Sequence, residues 1–80
     1  EYYIKYKKEE KMKAGDKYKH FKGKIVEIVC IAKDSETLED IVIYREDDNY
    51  WARKYKMFTS LVDKEKYPNI NQKYRFEKVK

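Results

Sequence analysis

Lys24-Ile25-Val26-Glu27-Ile28-Val29-Cys30-Ile31-Ala32 is the stretch that decides how the chain is read. Five of these nine residues are β-branched, a composition that suits a pleated strand and that a helix orders at a cost in side-chain freedom. With side chains alternating along a strand, Val26, Ile28, Cys30 and Ala32 share one face and Ile25, Glu27, Val29 and Ile31 the other. Both faces are mostly apolar, so the strand is expected to be central and covered on both sides. Cys30 is then a small buried hydrophobe with a suppressed thiolate.

Working outward, strand signals repeat at intervals of about ten residues. Tyr18-Lys19-His20-Phe21-Lys22-Gly23 precedes the central stretch as a short aromatic segment closed by a glycine suited to a turn or bulge. Asp34-Ser35-Glu36-Thr37 is a polar turn, and Leu38 to Arg45 holds a second strand around Ile41-Val42-Ile43-Tyr44. Glu46-Asp47-Asp48-Asn49 turns the chain into Tyr50-Trp51-Ala52-Arg53. Lys54 to Met57 reads as a bend, Phe58 to Val62 as a short strand, and Asp63 to Tyr67 as a short helix closed by Pro68. Tyr74 to Val79 closes the sheet. The fold class expected from these strands is all-β, a small antiparallel barrel or sandwich over residues 15–80. Residues 1–14 form an N-terminal appendage, with alternation at residues 1–7 for a strand and helix formers from Lys8 to Ala14 before Gly15.

Eighty residues permit one domain, and a core this small gains from barrel closure or dimerisation. Charged residues make up 44%, well above the about 25% of average chains. Thirteen aromatic rings argue against disorder, because disordered chains are poor in them. No apolar run approaches the ~20 residues that cross a bilayer, so no membrane partner is expected. One cysteine leaves no internal disulfide, and no secretory leader pattern is present, which together lead us to expect a cytoplasmic protein.

The net charge of +5 is unevenly spread. Residues 1–24 carry nine lysines against four acids, residues 25–50 two bases against eight acids, and residues 51–80 nine bases against three acids. Folded together, the two basic ends offer a face that attracts anions.

Catalytic chemistry is poorly supplied. One His and one Cys do not make up the three or four ligands of a zinc site, so no metal and no cofactor are expected. Gly15 and Gly23 do not form a phosphate loop. A Cys30–His20 dyad is arithmetically available but needs an activated thiol that an apolar strand does not provide. The chain is therefore read as a non-enzyme with no catalytic residues.

Binding chemistry is better supplied. Tyr18, His20, Lys22, Tyr44, Tyr50, Trp51, Arg53, Lys54 and Tyr55 mix cations with flat rings. That mixture holds nucleotides and single strands, rings stacking on bases and cations meeting phosphates. The ligand-binding residues expected are His20, Lys22, Trp51, Arg53, Lys54, Tyr18 and Tyr50. Against this stands the usual burial of Trp, which places Trp51 in the core. Arg53, two residues on, then shares its face and snorkels outward or lies past a bulge. Ser35-Glu36-Thr37 is read chiefly as a turn that caps its own backbone. Glu36 and Glu39 repel phosphate, which puts a nucleic-acid site elsewhere.

Four blocks taken together carry a resemblance: Tyr18 to Gly23; Ile31 to Glu39; Trp51-Ala52-Arg53 with Met57-Phe58; and Lys66-Tyr67-Pro68 with Gln72 to Glu77. Their order and spacing, over about residues 15–80, resemble the small bacterial and phage proteins grouped as domain of unknown function 1653. The resemblance implies a small SH3-like barrel and no defined activity. Its phage members add the prospect of a binder that sequesters a nucleotide signal. Two positions depart from the family pattern: Asp34 stands where His is usual before Ser-Glu-Thr, and Lys54-Tyr55 where Pro follows Trp-x-Arg. The function expected is a small binding module for nucleic acid or a phosphorylated nucleotide-type ligand, with a protein partner as the alternative and a monomer or homodimer as the assembly.

Overall fold

The computed structural model describes residues 12–80. The strand read at residues 1–7 and the helical stretch from Lys8 to Lys11 lie outside the described residues. At Met12 to Ala14 the chain is not helical: it enters a turn in which the Asp16 amide donates to the Lys13 carbonyl and the Lys13 amide to Asp16 Oδ2.

Five strands and one helical turn follow: β1 (Lys17–His20), β2 (Ile25–Lys33), β3 (Asp40–Glu46), β4 (Asn49–Lys54), α1 (Tyr55–Phe58) and β5 (Phe76–Lys78). They form one sheet in the order β4-β3-β2-β1-β5, every neighbouring pair antiparallel. The β-branched β2 is the central strand, as its composition requires. Among the described residues no backbone pairing joins the two edge strands β4 and β5, so the hydrogen-bond ladder is open.

The coverage expected on both faces of β2 is not found. Val26 and Ile28 are buried, whereas Ile25, Val29, Cys30 and Ile31 are exposed. The cause is a β-bulge. Ile28 faces Tyr44 and Cys30 faces Ile43, which leaves Val29 as an extra residue. One inserted residue exchanges the faces beyond it. Cys30 therefore opposes Ile43 on the outer face, and Ile31 takes the position opposite the buried Val42. The cysteine is a surface thiol.

One face of the sheet folds over a core of Val26, Ile28, Val42, Tyr44, Phe58 and Phe76, against which Met12 and Tyr18 pack. Phe58, fully buried at the end of α1, meets Tyr18 and Tyr44 edge-on at 5.5 and 5.4 Å and stacks on Phe76 at 4.0 Å. A bend was expected at Lys54 to Met57, and this single helical turn fills it. It carries Phe58 inward, so no strand runs from Phe58 to Val62; Leu61 alone makes a bridge, to Tyr74. Asp63 to Tyr67 is a sequence of turns rather than a helix. Asp63 Oδ1 accepts from the Glu65 and Lys66 amides, the local side-chain bonding that competes with helical pairing.

Trp51 is half exposed on edge strand β4, not a core residue. It lies opposite Tyr44 and so on the core side of the sheet, yet among the described residues no strand beyond β4 covers it. Arg53, opposite Val42, turns back over the core instead of outward.

Candidate basic cleft around His20

The β1–β2 turn places the first site residues. Gly23, at φ 108°, occupies a conformation that L side chains rarely adopt, and its amide donates to the His20 carbonyl at 2.8 Å. This tight turn points the Lys22 amide at its neighbour's ring: it donates to His20 Nδ1 at 3.0 Å. The imidazole stacks on Phe21 at 4.4 Å and meets the edge of Phe76 at 4.9 Å. The turn is tied to the loop before β5 as well. The Phe21 amide donates to the Arg75 carbonyl, and Gln72 Nε2 donates to the Lys19 carbonyl, both at 2.9 Å.

Two arginines reach the same place from different elements. Arg53, on β4, donates from Nε to the Tyr44 hydroxyl at 3.3 Å and lies over the Phe76 ring at 5.8 Å. Side chains thus bridge the two edge strands that the backbone leaves unpaired. Arg75 donates from Nε to Ser60 Oγ at 3.1 Å. Both guanidinium groups are half-buried, and among the described residues neither they nor Lys22 has a carboxylate within 4.0 Å. Cations withdrawn from water are ordinarily paired, which makes an unmatched pair of arginines informative.

Burial is the main cause that lowers the His20 pKa below its usual 6.5; Arg53, Arg75 and Lys22 push the same way and Glu46 opposes them. The ring is neutral near pH 7. Because Nδ1 accepts the Lys22 amide, that hydrogen bond assigns the proton to Nε2. A neutral N–H donor thus stands among three cations.

Two cavities meet at His20 and Lys22. One, of about 240 Å³, is walled by Phe21, Tyr67, Lys66, Arg75 and Asp63. The other, of about 230 Å³, is walled by Tyr44, Phe76, Arg53, Lys24 and Glu46. Phe21 and Tyr67 are 4.9 Å apart, with Lys22 and Lys66 at 5.3 and 5.7 Å from the Tyr67 ring. The acids in these walls are already engaged. Glu46 is 3.9 Å from Lys24, and Asp63 accepts from its own loop.

Of the seven residues read from the sequence, His20, Lys22 and Arg53 come together here. Tyr18 lies beneath them in the core, edge-on to Phe58. Lys54 pairs with Glu39 at 3.4 Å beside Leu38 and Tyr55. Tyr50 borders a separate hollow with Arg45 and Ala14, and Trp51 lines neither cavity of the cleft. Phe21, Lys66, Tyr67 and Arg75 complete the cleft and were missed. All four stand inside the blocks that carried the family resemblance, which was the available signal. Cys30 and His20 sit on opposite faces of the sheet and form no dyad. Among the described residues no cluster of His, Cys, Asp and Glu is arranged to hold a metal ion, and no helix is long and apolar enough to cross a membrane.

A family model described as "Protein of unknown function (DUF1653)" matches residues 16–78. The chain belongs to the DUF1653 family. Every residue of the cleft falls within the matched span. Neither the curated proteins nor the solved structures gave a match.

Asp34 has a clear local role. Its Oδ1 accepts from the Glu36 and Thr37 amides at 2.8 and 3.0 Å, and these bonds hold its pKa below the usual carboxylate value. The turn they fix carries Leu38 at φ 65°, an uncommon conformation for leucine.

Proposed function

We propose that this DUF1653 protein is a non-enzymatic binding module that holds a phosphorylated ligand, nucleotide or nucleic acid, in the cleft around His20. One observation carries the reading: two half-buried arginines, without carboxylate partners among the described residues, flank a neutral imidazole that lines the same two cavities. An anionic guest supplies the missing counter-charge, and the half-buried rings of Phe21 and Tyr67, inclined at 60° to each other, offer it an aromatic wall. The turn bearing Glu36 and Glu39 contributes nothing to either cavity. We read the fold as SH3-like, a partly closed barrel whose edges are joined by Arg53 and Phe76. A cytoplasmic setting suits its unpaired surface thiol.

The test is affinity for nucleotides and single-stranded oligonucleotides across a salt series. Binding that weakens steadily with salt and is lost in Arg53→Met and Arg75→Met supports the reading; no binding at low ionic strength removes it. A second reading, a protein-interaction module or homodimer, draws on the outer sheet face, where Cys30 and Ala52 are exposed beside the half-buried Ile43. A concentration-dependent dimer or salt-insensitive capture of a protein favours it.

A further inference from the structure

Each of the two cavities alone is smaller than the roughly 300 Å³ at which ordinary ligand pockets begin, and joined they pass it. They are adjacent, with His20 and Lys22 lining both. Each also holds one arginine without a carboxylate partner, Arg75 on one side and Arg53 on the other. This layout differs from a mononucleotide pocket, where cations gather on one phosphate at one end. Here the charges are spread along a groove, in the order Arg75, the shared His20 and Lys22, then Arg53.

Resting on the reading above, we infer that the occupant is a single-stranded nucleic acid, held by consecutive phosphates, one beside each arginine, with the strand crossing at His20 and Lys22. The rings lie to one side only. Phe21 and Tyr67 are half-buried and wall the Arg75 cavity, whereas Tyr44 and Phe76 in the Arg53 cavity are buried. One base stacks on one of these two rings, which are inclined at 60° to each other, and the next is held by its backbone alone. Recognition by stacking and charge, without a dedicated set of base-edge donors, makes the site tolerant of sequence.

The experiment is calorimetric titration of the full chain, at low and moderate salt, with thymidine 5′-monophosphate, the 5′-phosphorylated dithymidylate and a pentathymidylate. The expected result is a gain of roughly 10- to 150-fold from mononucleotide to dinucleotide, the span of one added charge-assisted phosphate contact, and a much smaller gain thereafter. Arg53→Met and Arg75→Met each bring the dinucleotide down to the affinity of the mononucleotide and flatten the salt slope by about 0.7. Should either variant unfold, the length series and salt slope of the unmodified protein decide the question unaided. Equal affinity for mono- and dinucleotide overturns the inference and leaves the phosphate-binding reading standing. Absence of binding by all three probes overturns both.

Discussion

Replacing Phe58 by leucine removes the ring that joins the core to the floor of the cleft. Phe58 is fully buried, stacks on Phe76 and meets Tyr18 and Tyr44 edge-on. Phe→Ala at such a site costs roughly 3–5 kcal/mol, a large share of the about 4–12 kcal/mol an 80-residue domain has in total, so leucine is the gentler probe. Leucine refills most of the volume but forfeits three ring contacts, each worth about 0.5–1.5 kcal/mol and not additive. We expect a loss of about 2 kcal/mol, equivalent to roughly 8–16 °C in melting temperature. The assay is urea unfolding followed by Trp51 fluorescence, with the midpoint falling and the slope unchanged. Met57, on the same helical turn but exposed, is the control, and Met57→Ala changes stability by no more than about 0.5 kcal/mol. A Phe58→Leu cost as small as the control's refutes the placement of α1 as the plug of this core.

Three further outcomes follow from the same structure. Folding stability depends on His20: because its folded pKa lies below that of the unfolded chain, its contribution is full above about pH 6.5 and is lost as pH falls through the folded value. Urea midpoints between pH 7.5 and 5 show this decline, and His20→Asn flattens it. Asp34→Ala lowers the melting temperature by freeing the Glu36 and Thr37 amides, while Asp34→Asn, which keeps an acceptor oxygen, retains most of it. In acid the same turn weakens, since the depressed Asp34 pKa gives stability that is present above the ordinary carboxylate value and lost as pH drops through the folded one. Trp51→Ala costs about 1 kcal/mol or less by urea midpoint, against the roughly 3–5 kcal/mol of a core tryptophan.

The positions of the strands were legible because β-branched runs, and the aromatic pair Tyr50-Trp51, alternate with Asp- and Asn-rich turns; β2 and β3 fall on the β-branched runs and β4 on the aromatic pair. The bulge at Val29 was not legible. Nothing in Ile28-Val29-Cys30 distinguishes an inserted residue from a paired one, and it alone sends Cys30 to the surface. The same blindness applied to Trp51. Its chemistry favours burial, but its exposure follows from β4 being an edge, a property of sheet order. The helical turn of α1 could not be told from a bend, since four residues carry no period. In the site, His20, Lys22 and Arg53 were visible as cations set among aromatic residues. Arg75 and Tyr67 were not, because only tertiary packing brings the loop from Val62 to Arg75 against the β1–β2 turn.

We propose that the protein meets its ligand in the cleft between Arg75 and Arg53. The most direct measurement is a ¹H–¹⁵N correlation titration of the labelled chain with pentathymidylate at low salt. A ligand in the cleft shifts only the signals of Phe21, Lys22, Arg53, Tyr67 and Arg75, with the His20 ring nitrogens moving alongside. Shifts gathered instead on Cys30, Ile43 and Ala52 of the outer face, or none at all, contradict it.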